Sequence, residues 1–316
     1  MGRETEKLMK ELQQFLALHG AEATDEDSVE RLTDRFLSEY GVGHPRRKDM
    51  GPESADDYLE LADQASSKKK SLEYLHKALE LEPENMDAQL QLISLTLEDK
   101  LDEQLPALRQ LMDAAARQLE QEGCFKEDVG DFWGVLETRP YMRVRYAYFD
   151  ALISCGMIRC AIDEGEELLR LCENDNLGVR YQLMHLYAYM EDEMHALALH
   201  KRFDSYEETQ MLLPLAVLYY KLNRFERAED YVKRLAAVNR DTKKFLRAAA
   251  GDQLDQFLID MDPYGYRPFT MDELLTELMT SAYLFASVPY FFRWASGCLR
   301  TQRAAGTKKA VSKKKD

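Results

Sequence analysis

The chain has 316 residues, 45% of them hydrophobic, and its 57 acidic and 42 basic side chains give a net charge of −15. This acidic excess argues against a duplex-binding body, which would present a basic face. The five cysteines form no C-x-x-C pair and no disulfide framework, so they indicate a reducing, cytoplasmic setting in which free thiols pack as small apolar residues. We expect no signal peptide and no membrane span, since no apolar run reaches ~18 residues.

The N-terminal region, residues 1–40, is predicted to be a pair of amphipathic helices. Apolar residues recur at helical spacing along the first helix, which Gly20 ends. Thr24 is expected to cap the second helix, which extends to the end of this region. Residues 41–53 contain three glycines and two prolines, and they are the predicted linker to the rest of the chain.

The middle of the chain is predicted to consist of helical hairpins. Residues 54–122 form two divergent helix pairs, and residues 123–240 show a clearer repeat. In the second region Thr138 is a candidate helix N-cap, with Pro140 in the first turn, where a missing N–H costs nothing. Gly156 then interrupts the apolar pattern and predicts the turn into a second helix.

A period of about 34 residues runs through this second region. The small residue in each second helix and a large residue in each first helix both recur at steps of 35 and 32 residues. One hairpin cannot bury its own apolar face, so stacked hairpins need a small residue where helices approach and a large residue beside it. A helix-turn-helix period of this length is typical of tetratricopeptide architecture. The two series are Ala161, Ala196 and Ala228, and Leu152, Tyr187 and Tyr219.

Several of these residues also carry a resemblance to known families. The stretch 215–232 resembles the tetratricopeptide consensus, and the segments 137–143 and 174–181 are similar to tetratricopeptide proteins related to the suppressor of tumorigenicity 7 family. The resemblance implies an all-α, right-handed α-solenoid of tetratricopeptide-like repeats with helical caps at both ends, used for interactions. It carries over no catalytic residue. The consensus positions are Leu215, Ala216, Tyr219, Asn223, Arg224, Phe225, Ala228 and Val232.

The C-terminal region is predicted to close the structure. Residues 241–303 form a helical cap over the last repeat, and the Lys-rich residues 304–316 form a disordered tail. Two S/T-x-x-E sequences, at 205–208 and 270–273, are typical of capping boxes at helix starts. The polar run 174–176 is expected to end one helix and to cap the next.

The repeat period also predicts a binding surface. Arg145 and Arg180 are 35 residues apart, as are Tyr146 and Tyr181, so each pair should lie side by side on neighbouring first helices. Arginines in register can bind carboxylates bidentately, and tyrosines add contact area. Together with Arg143, these are the candidate residues for binding an acidic peptide or a C-terminal carboxylate on the concave face. Alternatively, the arginines brace the repeats by pairing with local acids. Glu137, Asp150 and Asp175 are examples of such acids.

No catalytic or metal-binding pattern stands above background. The sequence has no H-E-x-x-H, P-loop, G-x-G-x-x-G or G-x-S-x-G, and His195 and His200 do not share a helical face well. We therefore expect a non-catalytic scaffold for a protein or peptide, with no cofactor and no metal. One alternative is a nucleic-acid-associated regulator, whose tail of five lysines would bind phosphates weakly. The other is an enzyme of unrecognised type, which would need a closed pocket with converging titratable groups.

Overall fold

A computed structural model of the chain describes residues 3–20, 25–40, 52, 54–259, 261 and 267–300. Over these residues the fold is all-α, as predicted: they contain no β-strand, and isolated β-bridges join 130–131 to Cys172. Thr24, the predicted linker 41–53 apart from Pro52, and the predicted tail 304–316 lie outside the described residues.

The first compact unit is Met1–Asn176. It opens with the helices α1 (Arg3–Leu18) and α2 (Glu26–Tyr40). Its described residues then form three hairpins, each with a first and a second helix. These are α3 (Ala55–Asp63) with α4 (Lys68–Leu81), α5 (Met86–Thr96) with α6 (Leu101–Glu122), and, after the short α7 (Cys124–Glu127), α8 (Arg139–Ser154) with α9 (Ile158–Leu171).

The second compact unit is Leu177–Asp316. Two hairpins open it, and shorter helices follow them toward the C-terminus. The hairpins are α10 (Val179–Met190) with α11 (Glu193–Arg202), and α12 (Thr209–Lys221) with α13 (Phe225–Val238). The helices after them are α14 (Thr242–Ala250), α15 (Asp255–Leu258), α16 (Met271–Thr280), α17 (Ala282–Ala286) and α18 (residues 291–300).

The turn between first and second helix has one geometry in three hairpins. The residue that closes the turn has a left-handed backbone, with φ of +70° at Gly156, +59° at Glu191 and +59° at Asn223. The next N–H then donates to the carbonyl of the aligned large residue at 2.9 Å, a Schellman-type cap that satisfies the helix end. The turn predicted at Gly156 is confirmed, and Asn223 occupies the equivalent place in its hairpin. The three bonds join Met157 to Leu152, Asp192 to Tyr187, and Arg224 to Tyr219.

The predicted alanine series occupies matching places in the second helices. Ala161, Ala196 and Ala228 each have an exposed fraction of 0%. Each N–H donates to the carbonyl four residues earlier, so each alanine lies in the first turn of its helix. A methyl group at this position lets the helices of a hairpin approach closely, whereas a longer side chain would have to displace a packed neighbour.

The predicted capping box at 205–208 is wrong. The N–H of Ser205 donates to the carbonyl of His200 at 2.9 Å, and its φ is +54°. The serine therefore completes the C-terminal turn of α11. Helix α12 begins later, at Thr209, and its N-cap Glu208 makes no side-chain cap hydrogen bond. The hydrogen bond of Ser205 to the last turn of α11 takes precedence over the tendency of a serine to cap the start of the next helix.

Two threonines stand at predicted helix starts but act differently from predicted. Thr138 precedes α8 and Pro140 follows in its first turn, as expected. The Thr138 hydroxyl, however, donates to the carbonyl of Phe132 in the preceding loop. Thr270 likewise precedes α16, and its hydroxyl donates to the carbonyl of Arg267 at 2.6 Å. Neither hydroxyl accepts a helix N–H, so the predicted box at 270–273 is wrong in its chemistry.

Three smaller expectations have mixed outcomes. Helix α9 ends just before the run 174–176, but α10 begins only after Gly178, which has a φ of +70°. Cys155 and Cys160 are exposed rather than packed, whereas Cys172 is buried. Within the described part of the chain, every helix is too short or too polar to cross a membrane.

Candidate functional site

The first helices of the three hairpins in the first unit, α3, α5 and α8, pack side by side. We call the surface that they share the first-helix face. Helix α1 lies against this face, where it packs on α3 and reaches side chains of α8. The crevice between α1 and the face holds about 50 Å³ and is lined mostly by charged side chains. A space of this size takes a water molecule or two and no substrate-sized ligand.

Arg143 of α8 is held on this face between two carboxylates from different helices. Its Nε and Nη2 donate to Asp87 of α5 at 2.7 and 2.6 Å, and its Nη1 donates to both oxygens of Glu6 of α1 at 3.0 Å. The exposed fractions of the three side chains are 17%, 9% and 6%, respectively. Burial acts to lower the pKa of Arg143, but the bonds and charges of Asp87 and Glu6 outweigh it, and the pKa is raised.

Arg139 lies one helical turn before Arg143 and faces the same carboxylate. Its Nη1 lies 3.4 Å from Glu6, while its Nε donates to the carbonyl of Trp133 at 2.6 Å. Both guanidinium groups lie near the Trp133 ring, 5.7 and 6.0 Å from its centroid, within cation–π range. Arg139 is not among the binding residues predicted from the sequence. Its spacing of four residues from Arg143, which puts both on one side of a helix, was the available signal.

Two lysines of α1 extend the contact to α3. Lys7 pairs with Asp57, and Lys10 pairs with Asp56 at 3.1 Å. A third acid of α3, Glu60, lies 3.9 Å from the Lys7 ammonium. The α1 side of the contact therefore presents an acidic group and then two basic groups, which meet arginines on α8 and acids on α3.

Arg145 turns the other way, toward the second helix of its own hairpin. It binds Glu164 of α9 through Nε and Nη2, the latter at 2.9 Å, and its Nη1 donates to the hydroxyl of Tyr141 at 3.0 Å. Only 8% of Arg145 is exposed. Burial acts to lower its pKa, but Glu164 and its other neighbours raise it overall. Arg145 thus braces α8 against α9, and its bound acid is none of the three weighed from the sequence.

Tyr146 lies half-buried on the same helix. Its ring centroid is 6.0 Å from that of Phe149. Burial raises the pKa of its phenol, and the nearby charges of Asp150 and Asp175 add to the rise. The hydroxyl therefore stays neutral, and the ring contributes mainly to the packing around α8.

Arg180 and Tyr181 of the second unit lie against each other. The Arg180 guanidinium lies 4.3 Å from the centroid of the Tyr181 ring and 5.0 Å from that of Phe203. The Tyr181 hydroxyl donates to Glu208 at 3.0 Å, and burial raises its pKa to about 12. Arg145 and Arg180 belong to different units, and their predicted alignment stays a prediction.

In the second unit the first helices, α10 and α12, are covered by C-terminal helices. Helix α17 packs on α10 and α16 packs on α12. The Nε2 atom of His185 of α10 lies 3.0 Å from a carboxylate oxygen of Glu277 of α16, and the exposed fractions of the two side chains are 2% and 7%. Tyr220 of α12 packs against Phe291 and Trp294 of α18, with centroids 5.4 and 5.1 Å apart. The C-terminal cap therefore reaches the first helices of both hairpins rather than the last repeat alone.

The histidines weighed as metal ligands have other neighbours. A ring nitrogen of His195 lies 2.7 Å from Asp192, and one of His200 lies 3.0 Å from the carbonyl of Tyr206. Over the residues that the structure describes, no three His, Cys, Asp or Glu side chains converge as metal ligands would.

Comparison with known proteins finds no matching family model and no curated protein of significantly similar sequence. The resemblance to tetratricopeptide proteins, and to the group related to the suppressor of tumorigenicity 7 family, therefore stays a prediction.

Proposed function

We propose that this chain is a non-catalytic, cytoplasmic scaffold that holds a helical or extended segment of a partner protein on the face built by its first helices. In this proposal the hairpins are tetratricopeptide-like repeats of a right-handed solenoid, and the first-helix face is its concave wall. Each hairpin supplies one helix to that wall, so a run of hairpins offers side chains at regular spacing to a partner segment.

The docking of α1 is the observation that carries the proposal. Arg143 binds Glu6, which lies 137 residues earlier in the chain. A face that holds a distant helix through charge-assisted hydrogen bonds already has the elements of partner recognition: fixed arginines, flanking acids and a first-helix framework. The covering of α10 and α12 by C-terminal helices gives a second case of the same mode of packing.

The five candidate residues take different roles in this proposal. Arg143 binds the partner, together with Arg139. Arg145 and Arg180 brace their own hairpins, because their guanidinium groups engage Glu164 and two aromatic rings, respectively. Tyr146 and Tyr181 pack beside them.

Affinity purification of the tagged full-length chain tests the proposal. Quantitative mass spectrometry compares the proteins retained by the wild type, by Arg143→Ala, and by the control Arg117→Ala, which changes an exposed arginine on the second helix α6. We expect Arg143→Ala to lose at least one partner that the control retains about tenfold better, since removing a charge-assisted bond costs ~1.5–3 kcal/mol. Circular dichroism checks that both variants stay helical. Equal recovery of every protein from the three baits would refute the proposal.

A further inference from the structure

Helix α1 is attached to the first-helix face mainly through charges. Among the α1 side chains whose burial is described, only Glu6 is buried. Of its apolar residues, Phe15 packs against Phe36 of α2, with ring centroids 5.5 Å apart. Release of α1 from the face would break the ion pairs of Glu6, Lys7 and Lys10.

Without α1, charged side chains on the first-helix face would lose their partners. Arg139 and Arg143 would then both lose the carboxylate of Glu6, and Arg143 would keep that of Asp87. On α3, Asp56 and Asp57 would lose the lysines of α1. Removing one partner of a largely buried ion pair is unfavourable, so an occupant that brings a carboxylate to the arginines and ammonium groups to the acids would restore the lost pairs.

We propose that α1 is the resident occupant of the partner-binding surface, and that the partner is a helix with an acidic residue followed by basic residues one and four positions later. This inference rests on the scaffold function proposed above and specifies its partner. The pattern is that of Glu6, Lys7 and Lys10. Glu6 and Lys10 are four residues apart and lie on the same side of the helix, and Lys7 lies at the flank of that side. A single helix can therefore meet the α8 arginines and the α3 acids together.

The occupancy of the face by α1 affects the affinity of the face for a partner. Because α1 belongs to the same chain, it competes with a partner helix at an effective concentration on the order of millimolar. A partner helix must therefore outcompete α1, and a substitution on α1 that weakens its ion pairs increases the affinity for the partner. The pair of Lys10 with Asp56 is partly exposed and is therefore screened by salt, so release of α1 should also increase with ionic strength.

The test uses the full chain and a peptide of residues 3–20 as the probe, labelled with fluorescein. An opened variant carries Glu6→Gln, Lys7→Gln and Lys10→Gln, which removes the three charges of the resident helix while the face stays intact. A matched control peptide carries Glu6→Gln alone. Fluorescence anisotropy measures the binding of both peptides to the wild type, to the opened variant, and to the opened variant with Arg143→Ala.

We expect the opened variant to bind the native peptide at least about tenfold more tightly than the wild type does, and about tenfold more tightly than it binds the Glu6→Gln peptide. Adding Arg143→Ala should remove the difference between the two peptides. Hydrogen exchange should show faster exchange of α1 in the opened variant, with unchanged protection in α4. The peptide comparison stays decisive even if Arg143→Ala does not fold, because it changes only the probe.

Equal binding of the native peptide by the wild type and the opened variant would overturn the inference, as would equal binding of the two peptides by the opened variant. A dimer of the wild type in light scattering that dissociates in the opened variant would identify a second copy as the occupant, and would also overturn it. These failures differ from failure of the scaffold function. Loss of partners on Arg143→Ala can persist when the peptide results are negative, and equal partner recovery can accompany positive peptide results.

Discussion

Breaking the ion pair between Arg145 and Glu164 tests whether Arg145 braces its hairpin or binds a partner. Replacing Glu164 with Leu removes the bidentate acceptor and leaves the guanidinium between α8 and α9. Its remaining polar neighbours are the Tyr141 hydroxyl at 3.0 Å and a carboxylate oxygen of Glu167 at 3.5 Å. The perturbation is severe because the exposed fractions of the Arg145 and Glu164 side chains are only 10% and 8%.

The expected cost of Glu164→Leu is ~3–5 kcal/mol, the usual penalty for leaving one member of a buried ion pair behind. Glu167, whose side chain is 29% exposed, can approach the guanidinium and should hold the loss near the lower end of that range. The double variant Arg145→Met/Glu164→Leu leaves no buried charge at this site, so it should recover most of the stability. With a urea m-value of ~1–3 kcal/mol/M, the single variant should shift the unfolding midpoint by ~1–3 M.

Urea unfolding followed by circular dichroism measures these shifts in a double-mutant cycle. The control variant is Asp163→Leu, which changes an exposed carboxylate on the same helix and should alter stability by less than ~0.5 kcal/mol. A cost of Glu164→Leu below ~1 kcal/mol would show that the guanidinium is readily solvated, and the bracing role of Arg145 would then be wrong.

Two further predictions concern packing and burial in the second unit. Ala196→Leu should lower the free energy of unfolding by ~1–3 kcal/mol, because the close approach at this buried alanine has no room for three more carbons, whereas the exposed Ala198→Leu should change it by less than ~0.5 kcal/mol. Thermal and urea unfolding distinguish these outcomes, and equal effects would contradict the role assigned to the alanine series. Burial raises the pKa of Glu273 above its ordinary 4.5, so the folded state binds the proton more tightly and loses stability as the pH rises through the folded pKa. Glu273→Gln should therefore gain stability relative to the wild type in urea unfolding as the pH rises above about 4.5, and the exposed control Glu226→Gln should not; a difference that does not vary with pH would refute the assignment.

The sequence by itself determined the helical class and the hairpin repeat. Helical periodicity is a local property, because neighbouring side chains follow the 3.6-residue turn wherever the helix is placed. The turn at Gly156 and the fully buried Ala161 could be predicted for the same reason, since a left-handed turn and a small residue are needed within each hairpin. The period also identified equivalent positions, such as Tyr187 and Tyr219, whose carbonyls accept the same turn hydrogen bond.

Only the tertiary structure decided what the arginines bind. Arg143 and Arg145 are two residues apart, but one meets Glu6 and Asp87 on the first-helix face and the other meets Glu164 inside its hairpin. A repeat period relates equivalent positions, and it contains no information about which acid, 56 or 137 residues away, lies opposite a given side chain. Ion pairing depends on distances of a few ångströms between helices that are remote in sequence, so the occupant of the first-helix face became visible only once the helices were placed in space.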